Sequence, residues 1–179
     1  EAENWDLAKS FVQSAFVDRG MIADVAFHRG HKIQEAQPHI HVMLTMRSVS
    51  GSHFGAKVRS WNDRALLVQW RESWAVSCNA AFSRLGLDIR IDHRSLEAQG
   101  IDLEPQTKIG AKSAQLKLSK LLEQQARDRA NGERLLADPG IVLSSLSAHQ
   151  STFTRHDIAR VIHRYSADTL QFDRVMSLV

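Results

Sequence analysis

Three histidines carry the chemistry most readily read from this sequence. His39 and His41 stand one residue apart in Gln37-Pro38-His39-Ile40-His41-Val42-Met43-Leu44-Thr45-Met46-Arg47, a stretch whose alternation predicts a β-strand. Strand side chains alternate faces, so His39, His41, Met43 and Thr45 share one face, and Ile40, Val42, Leu44 and Met46 share the other. Upstream, Asp24-Val25-Ala26-Phe27-His28 alternates too and sets His28 on the face opposite Val25 and Phe27. If the two strands pair across the polar loop 29–38, three imidazoles converge on one sheet face. Neutral imidazole is a common ligand of divalent transition metals, and three of them leave positions open for water or substrate, which suits catalysis better than structural support. The expected metal ligands are therefore His28, His39 and His41, with Asp24 as a candidate partner for an outer ring nitrogen. His31, His53, His149, His156 and His163 read as ordinary polar surface residues.

The rest of the chain has to hold these groups in place. At 179 residues it fits one domain, or one domain and part of another, and its 43% hydrophobic and 24% charged content is ordinary for a globular protein. No apolar run approaches the ~18 residues of a membrane span. The single cysteine, Cys78, falls in a helical pattern and reads as a small buried residue, and the natural setting for such a chain is a reducing cytoplasm. Net charge is only +3. The basic residues are nonetheless 16 arginines against 7 lysines, a mild lean toward phosphate or nucleic-acid partners, because the guanidinium fork matches phosphate oxygens.

A helix is predicted over roughly 5–18, capped by Asn4 and closed by Gly20, then strands near 22–28 and 39–47. The small, glycine-bearing stretch 48–60 reads as a mobile loop. Asn62 or Asp63 starts the strongest helix, with Leu67, Trp70, Trp74, Cys78, Ala81, Phe82 and Leu85 on one stripe and Gly86 after its end. Trp61, Trp70 and Trp74 read as core residues. Leu87-Asp88-Ile89-Arg90-Ile91 alternates and predicts a third short strand, and 92–113 reads as an extended linker. Beyond it the pattern is helical: 113–136, a turn at Asp138-Pro139-Gly140, 141–147, 155–165 capped by Thr154, and from about 167 to the end. The expected class is α+β, a part of an antiparallel sheet with packed helices followed by an all-helical segment, divided into 1–110 and 111–179. An opening Glu and a last helix that runs out at Val179 suggest a piece of a longer protein.

Several segments together resemble one family. Gly20 to His28 followed by Gln37 to Arg47 is similar to the three-histidine motif of the MobA/MobL conjugative relaxases. Phe54-Gly55-Ala56-Lys57-Val58-Arg59-Ser60-Trp61-Asn62, Trp70-Arg71-Glu72-Ser73-Trp74-Ala75 and Asp92-His93-Arg94-Ser95-Leu96-Glu97-Ala98-Gln99-Gly100-Ile101-Asp102 resemble the region after that motif. In the tail, Leu135-Leu136-Ala137-Asp138-Pro139-Gly140 and Ser151-Thr152-Phe153-Thr154-Arg155-His156-Asp157-Ile158-Ala159-Arg160 resemble the helical approach to the helicase part of the family's large relaxase-helicases. One departure is Lys108, where related chains often show histidine in a Pro-x-x-His-x-Gly segment.

The resemblance implies an HUH-type nicking enzyme. A tyrosine attacks one strand of single-stranded DNA at a plasmid transfer origin, and a divalent metal on His28, His39 and His41 polarises the phosphate. Mg or Mn is the expected working ion, with Zn compatible, and other relaxosome proteins are expected partners. Arg47, Lys57 and Arg59 are the candidate DNA contacts. The family's nucleophile lies upstream of every motif seen here, so no catalytic tyrosine is expected in this chain; Tyr165, the one tyrosine present, has helical neighbours that suggest packing. The rival readings are a rolling-circle replication initiator, a non-catalytic DNA-binding remnant of a truncated transfer gene, and a metal hydrolase using water with Asp24 or Glu104 as base.

Overall fold

The structure is a computed structural model that describes residues 2–28, 38–107 and 114–179, with side chains in the last stretch from 118 onward. It is α+β, with two small antiparallel sheets and six α-helices among the described residues. Two compact units are present, Glu1–Leu87 and Asp88–Val179.

In the first unit, α1 (Ala2–Ala15) leads through a 3-10 turn to Gly20, whose φ of 92° is a left-handed value that favours glycine. β1 (Ala23–His28) then pairs antiparallel with β2 (His39–Leu44). Val25, Phe27, Ile40, Val42 and Leu44 point to the half-buried face, as their alternation requires. Four of those residues, Phe27 being the exception, pack on the cluster of Val12, Ala15, Phe16 and Met21. The ladder extends one residue past β1, where the Ile22 and Thr45 main chains meet at 3.1 Å and the Ile22 N–H also donates to the Thr45 hydroxyl. α2 (Arg64–Arg84) starts where Asp63 accepts from the Ala65 N–H. Edge-on ring contacts hold α2 to α1, with Phe16 5.0 Å from Trp70 and Phe11 5.0 Å from Trp74. Trp70 and Trp74 are thus packing residues. Cys78 is buried, and burial pushes its thiol up.

Two expectations fail here. The stretch read as a mobile loop forms a second hairpin, β3 (Arg47–Ser50) with β4 (His53–Lys57), turning at Gly51-Ser52 with a Gly51 φ of 59°. Its small polar residues lack the apolar alternation that signals a strand, and the two-residue turn supplies the pairing instead. The third strand at Leu87–Ile91 does not form. The Arg90 N–H donates to the His149 carbonyl, and the Asp88 carboxylate accepts from the Ser151 hydroxyl and N–H, so the segment satisfies its polar groups on the turn after α4.

The second unit holds α3 (Ala114–Ala137), α4 (Gly140–Ser147), α5 (Arg155–Tyr165) and α6 (Thr169–Met176), close to the predicted helices. Thr154 and Asp157 cap α5 reciprocally. The core is Leu135, Val142, Leu146, Ile162, Tyr165 and Val175, joined by Ile101 and Leu103 from the segment expected to be a linker. Packing therefore places residues 88–107 with the helices of the second unit. The physical cause is a polar clamp. Asn131, fully buried, accepts from the Glu104 N–H at 2.8 Å and donates to the Glu104 carbonyl at 2.9 Å. The Glu104 carboxylate also meets Arg134 at 3.0 Å and Arg127 at 3.3 Å. Asn131→Ala would leave both main-chain groups of Glu104 unpaired, and an unmet buried polar group costs about 1–3 kcal/mol. Urea unfolding of the variant should show a loss of roughly 2–4 kcal/mol, with faster proteolysis within 95–107; a loss under ~0.5 kcal/mol would contradict the clamp.

Candidate metal centre

Strand register builds the site. Across the β1–β2 ladder His28 stands directly opposite His39, and Ala26 stands opposite His41. Alanine leaves room beside His41, so its ring leans diagonally toward His28. The ring centroids lie 5.2 Å apart for His28–His39, 4.6 Å for His28–His41 and 5.1 Å for His39–His41. One ligand nitrogen from each imidazole falls within 4.8 Å of the others. Two nitrogens bound to one ion at ~2.1 Å can be at most ~4.2 Å apart, so small side-chain rotations close the set. All three residues are exposed, which permits those rotations and opens the site to a large substrate. A donor set of three imidazole nitrogens fits a divalent ion with coordination positions to spare.

Asp24 shares this face and stands opposite Met43, two rungs beyond Ala26 and His41. Four residues separate it from His28, about 13 Å along the strand, so a direct hydrogen bond to that ring is out of reach; His41, diagonally across, is its nearer imidazole. Glu104, the other base considered for a water mechanism, belongs to the second unit and is ion-paired there with Arg127 and Arg134.

Arg47, Lys57 and Arg59 are all exposed. Arg47 and Lys57 are cross-strand partners on β3–β4, and the Arg47 guanidinium donates to the Gly55 carbonyl at 3.0 Å. Like charges directly opposite repel, so this pair gains from an anion between or beside them. The same hairpin carries Phe54, 64% exposed, which sequence reasoning passed over because the stretch read as loop. Tyr165 is 9% exposed, inside the core of the second unit. Lys108 and His31 lie outside the described residues, as does the loop 29–37.

A profile of the MobA/MobL family matches residues 1–118. The chain belongs to the MobA/MobL family. That match covers both hairpins and all three histidines, and it runs past Leu87 into the second unit. Individual relatives agree. The chain is 31% identical to the conjugal transfer protein TraA of Rhizobium radiobacter and 32% identical to that of Agrobacterium fabrum, in each case over 97% of this chain and 18% of the relative. It is 33% identical to mobilization protein A of Escherichia coli over 58% of this chain and 17% of that protein. This MobA/MobL chain therefore spans less than a fifth of the relatives' length. No solved structure matches it.

Proposed function

We propose that this chain is part of a DNA relaxase that nicks one strand at a plasmid transfer origin during conjugation, and that it supplies the metal-holding half of the active centre. The observation that carries this reading is the convergence of His28, His39 and His41 on the open face of the β1–β2 hairpin. A divalent ion held there, Mg or Mn in use and Zn also compatible, would supply Lewis-acid polarisation of the scissile phosphate. The chain's own residues do the positioning. Paired strands fix the direction of the three imidazoles, while Arg47, Lys57 and Arg59 offer charge-assisted contacts to neighbouring phosphates of the single strand.

The reaction is a transesterification. A tyrosine oxygen, from outside these 179 residues, attacks phosphorus and loses its proton, while the departing 3′ oxygen takes up a proton and leaves as a free 3′ hydroxyl. The 5′ end stays linked to the protein, so one phosphodiester replaces another. The setting is the cytoplasm, with single-stranded DNA as substrate and other relaxosome proteins as partners. A second reading, a DNA-binding piece with no catalysis of its own, is favoured by the burial of Tyr165.

The decisive experiment joins the chain to the tyrosine-bearing segment of a TraA relative, in one polypeptide or as a complementing peptide. With transfer-origin single strands and manganese, the expected product is a nicked strand whose 5′ end is bound to protein. A free 5′ phosphate would instead indicate a water nucleophile and overturn the assignment.

A further inference from the structure

We propose that the solvent face of α5 in the second unit is a contact surface for the phosphate backbone of single-stranded DNA. The choice of DNA as partner rests on the reading above; the surface itself rests on separate observations. Every exposed residue of α5 is an arginine or a histidine: Arg155, His156, Arg160, His163 and Arg164. At 3.6 residues per turn these five cover about half the helix circumference. Ile158, Val161, Ile162 and Tyr165 occupy the other half and pack into the core. Such a concentration stands out in a chain whose net charge is only +3.

The one acid on α5, Asp157, is committed to the cap with Thr154 and to an ion pair with Arg160. Its carboxyl is held below the usual range, first by the Thr154 main-chain and side-chain hydrogen bonds and then by Arg160. The guanidinium groups of Arg155 and Arg164 have no hydrogen-bond or ion-pair partner among the described residues. From Arg155 to Arg164 the helix rises about 14 Å, long enough to meet more than one phosphate along a single strand. Beside Arg160 and Arg164 opens a cleft of about 260 Å³ bordered by Leu146, His149, Val161 and the ion-paired Asp157. Small-molecule sites generally occupy ~300–1,000 Å³, so the cleft suits the edge of a polymer better than an enclosed ligand.

Two features favour DNA over a membrane. A helix lying in a lipid interface needs its apolar face free, and that of α5 is consumed by the core. The strong charges are all arginine, whose planar fork matches phosphate oxygens two at a time.

The test measures binding of fluorescent oligothymidine to the whole chain by anisotropy across a salt series. The variant Arg155→Gln/Arg164→Gln spares the capping box, and far-UV circular dichroism checks that it stays helical. Two lost contacts at ~0.7 each should make the slope of log K against log salt shallower by roughly 1.4, with weaker binding at low salt. Unchanged slope and affinity in a folded variant would overturn the proposal, as would wild-type binding to phosphatidylserine vesicles but not to oligothymidine. Metal titration of the wild type separates the two ideas. A reduced slope beside a wild type that binds no metal would sustain this surface while removing the metal centre.

Discussion

His39→Ala/His41→Ala is expected to lose specific binding of Mn or Zn, and any nicking assembled around this chain should disappear with it. Two of three converging nitrogens are removed, leaving His28 as a lone imidazole. Removing only an outer-shell partner of a metal ligand costs ~10–100-fold in affinity, so deleting two of the three proposed ligands should exceed that range. Titration calorimetry should show one ion per wild-type chain and no resolvable saturation in the variant. His39 and His41 are exposed, and substitutions at such surface positions shift stability by only about ±0.5 kcal/mol, so the loss cannot be assigned to unfolding. Unchanged stoichiometry and affinity would remove the metal centre from this hairpin.

The second large effect is an absence of chemistry. Mixed with single-stranded transfer-origin DNA and manganese, the 179-residue chain should bind without forming a covalent adduct. Orientation of a nucleophile in line with its leaving group contributes on the order of 7–11 kcal/mol, and the imidazoles by themselves do not provide it. Tyr165 sits in the core between α3, α4, α5 and α6, where packing and burial withhold its oxygen from a polymer substrate. Denaturing electrophoresis of labelled DNA settles the matter. An adduct formed by the chain alone and lost in Tyr165→Phe would place the nucleophile in the helical unit and reverse the assignment.

Much of the local structure was legible because it follows from short-range rules. The period-2 alternation around His28 and around His39–His41 set the faces of β1 and β2 before any pairing was known. Asp63 as a cap, Thr154 with Asp157 as a capping box, and the turn before Gly140 each depend on neighbours within a few residues. Errors fell where partners are distant in sequence. Leu87–Ile91 alternates as a strand should, yet its main chain is taken by His149 and Asp88 is taken by Ser151, some sixty residues on. The segment around Glu104 looked like a linker because nothing local marks Asn131 as its clamp. The β3–β4 hairpin was missed for the opposite reason: its pairing is local, but its residues carry little apolar signal.

The sequence by itself determined which histidines share a face, which helices form and where α2 and α5 are capped, since these depend on side-chain periodicity and on groups a few residues apart; Asn4, the expected cap of the first helix, lies inside α1, which begins at Ala2. Only the tertiary structure decided that His41 sits opposite Ala26 and leans toward His28, that residues 88–107 belong with the helices, and that the exposed side of α5 is wholly arginine and histidine. Register and burial are properties of pairs far apart in the chain. A period fixes the direction of each side chain, but the neighbour it meets is selected by the free energy of the whole packed unit.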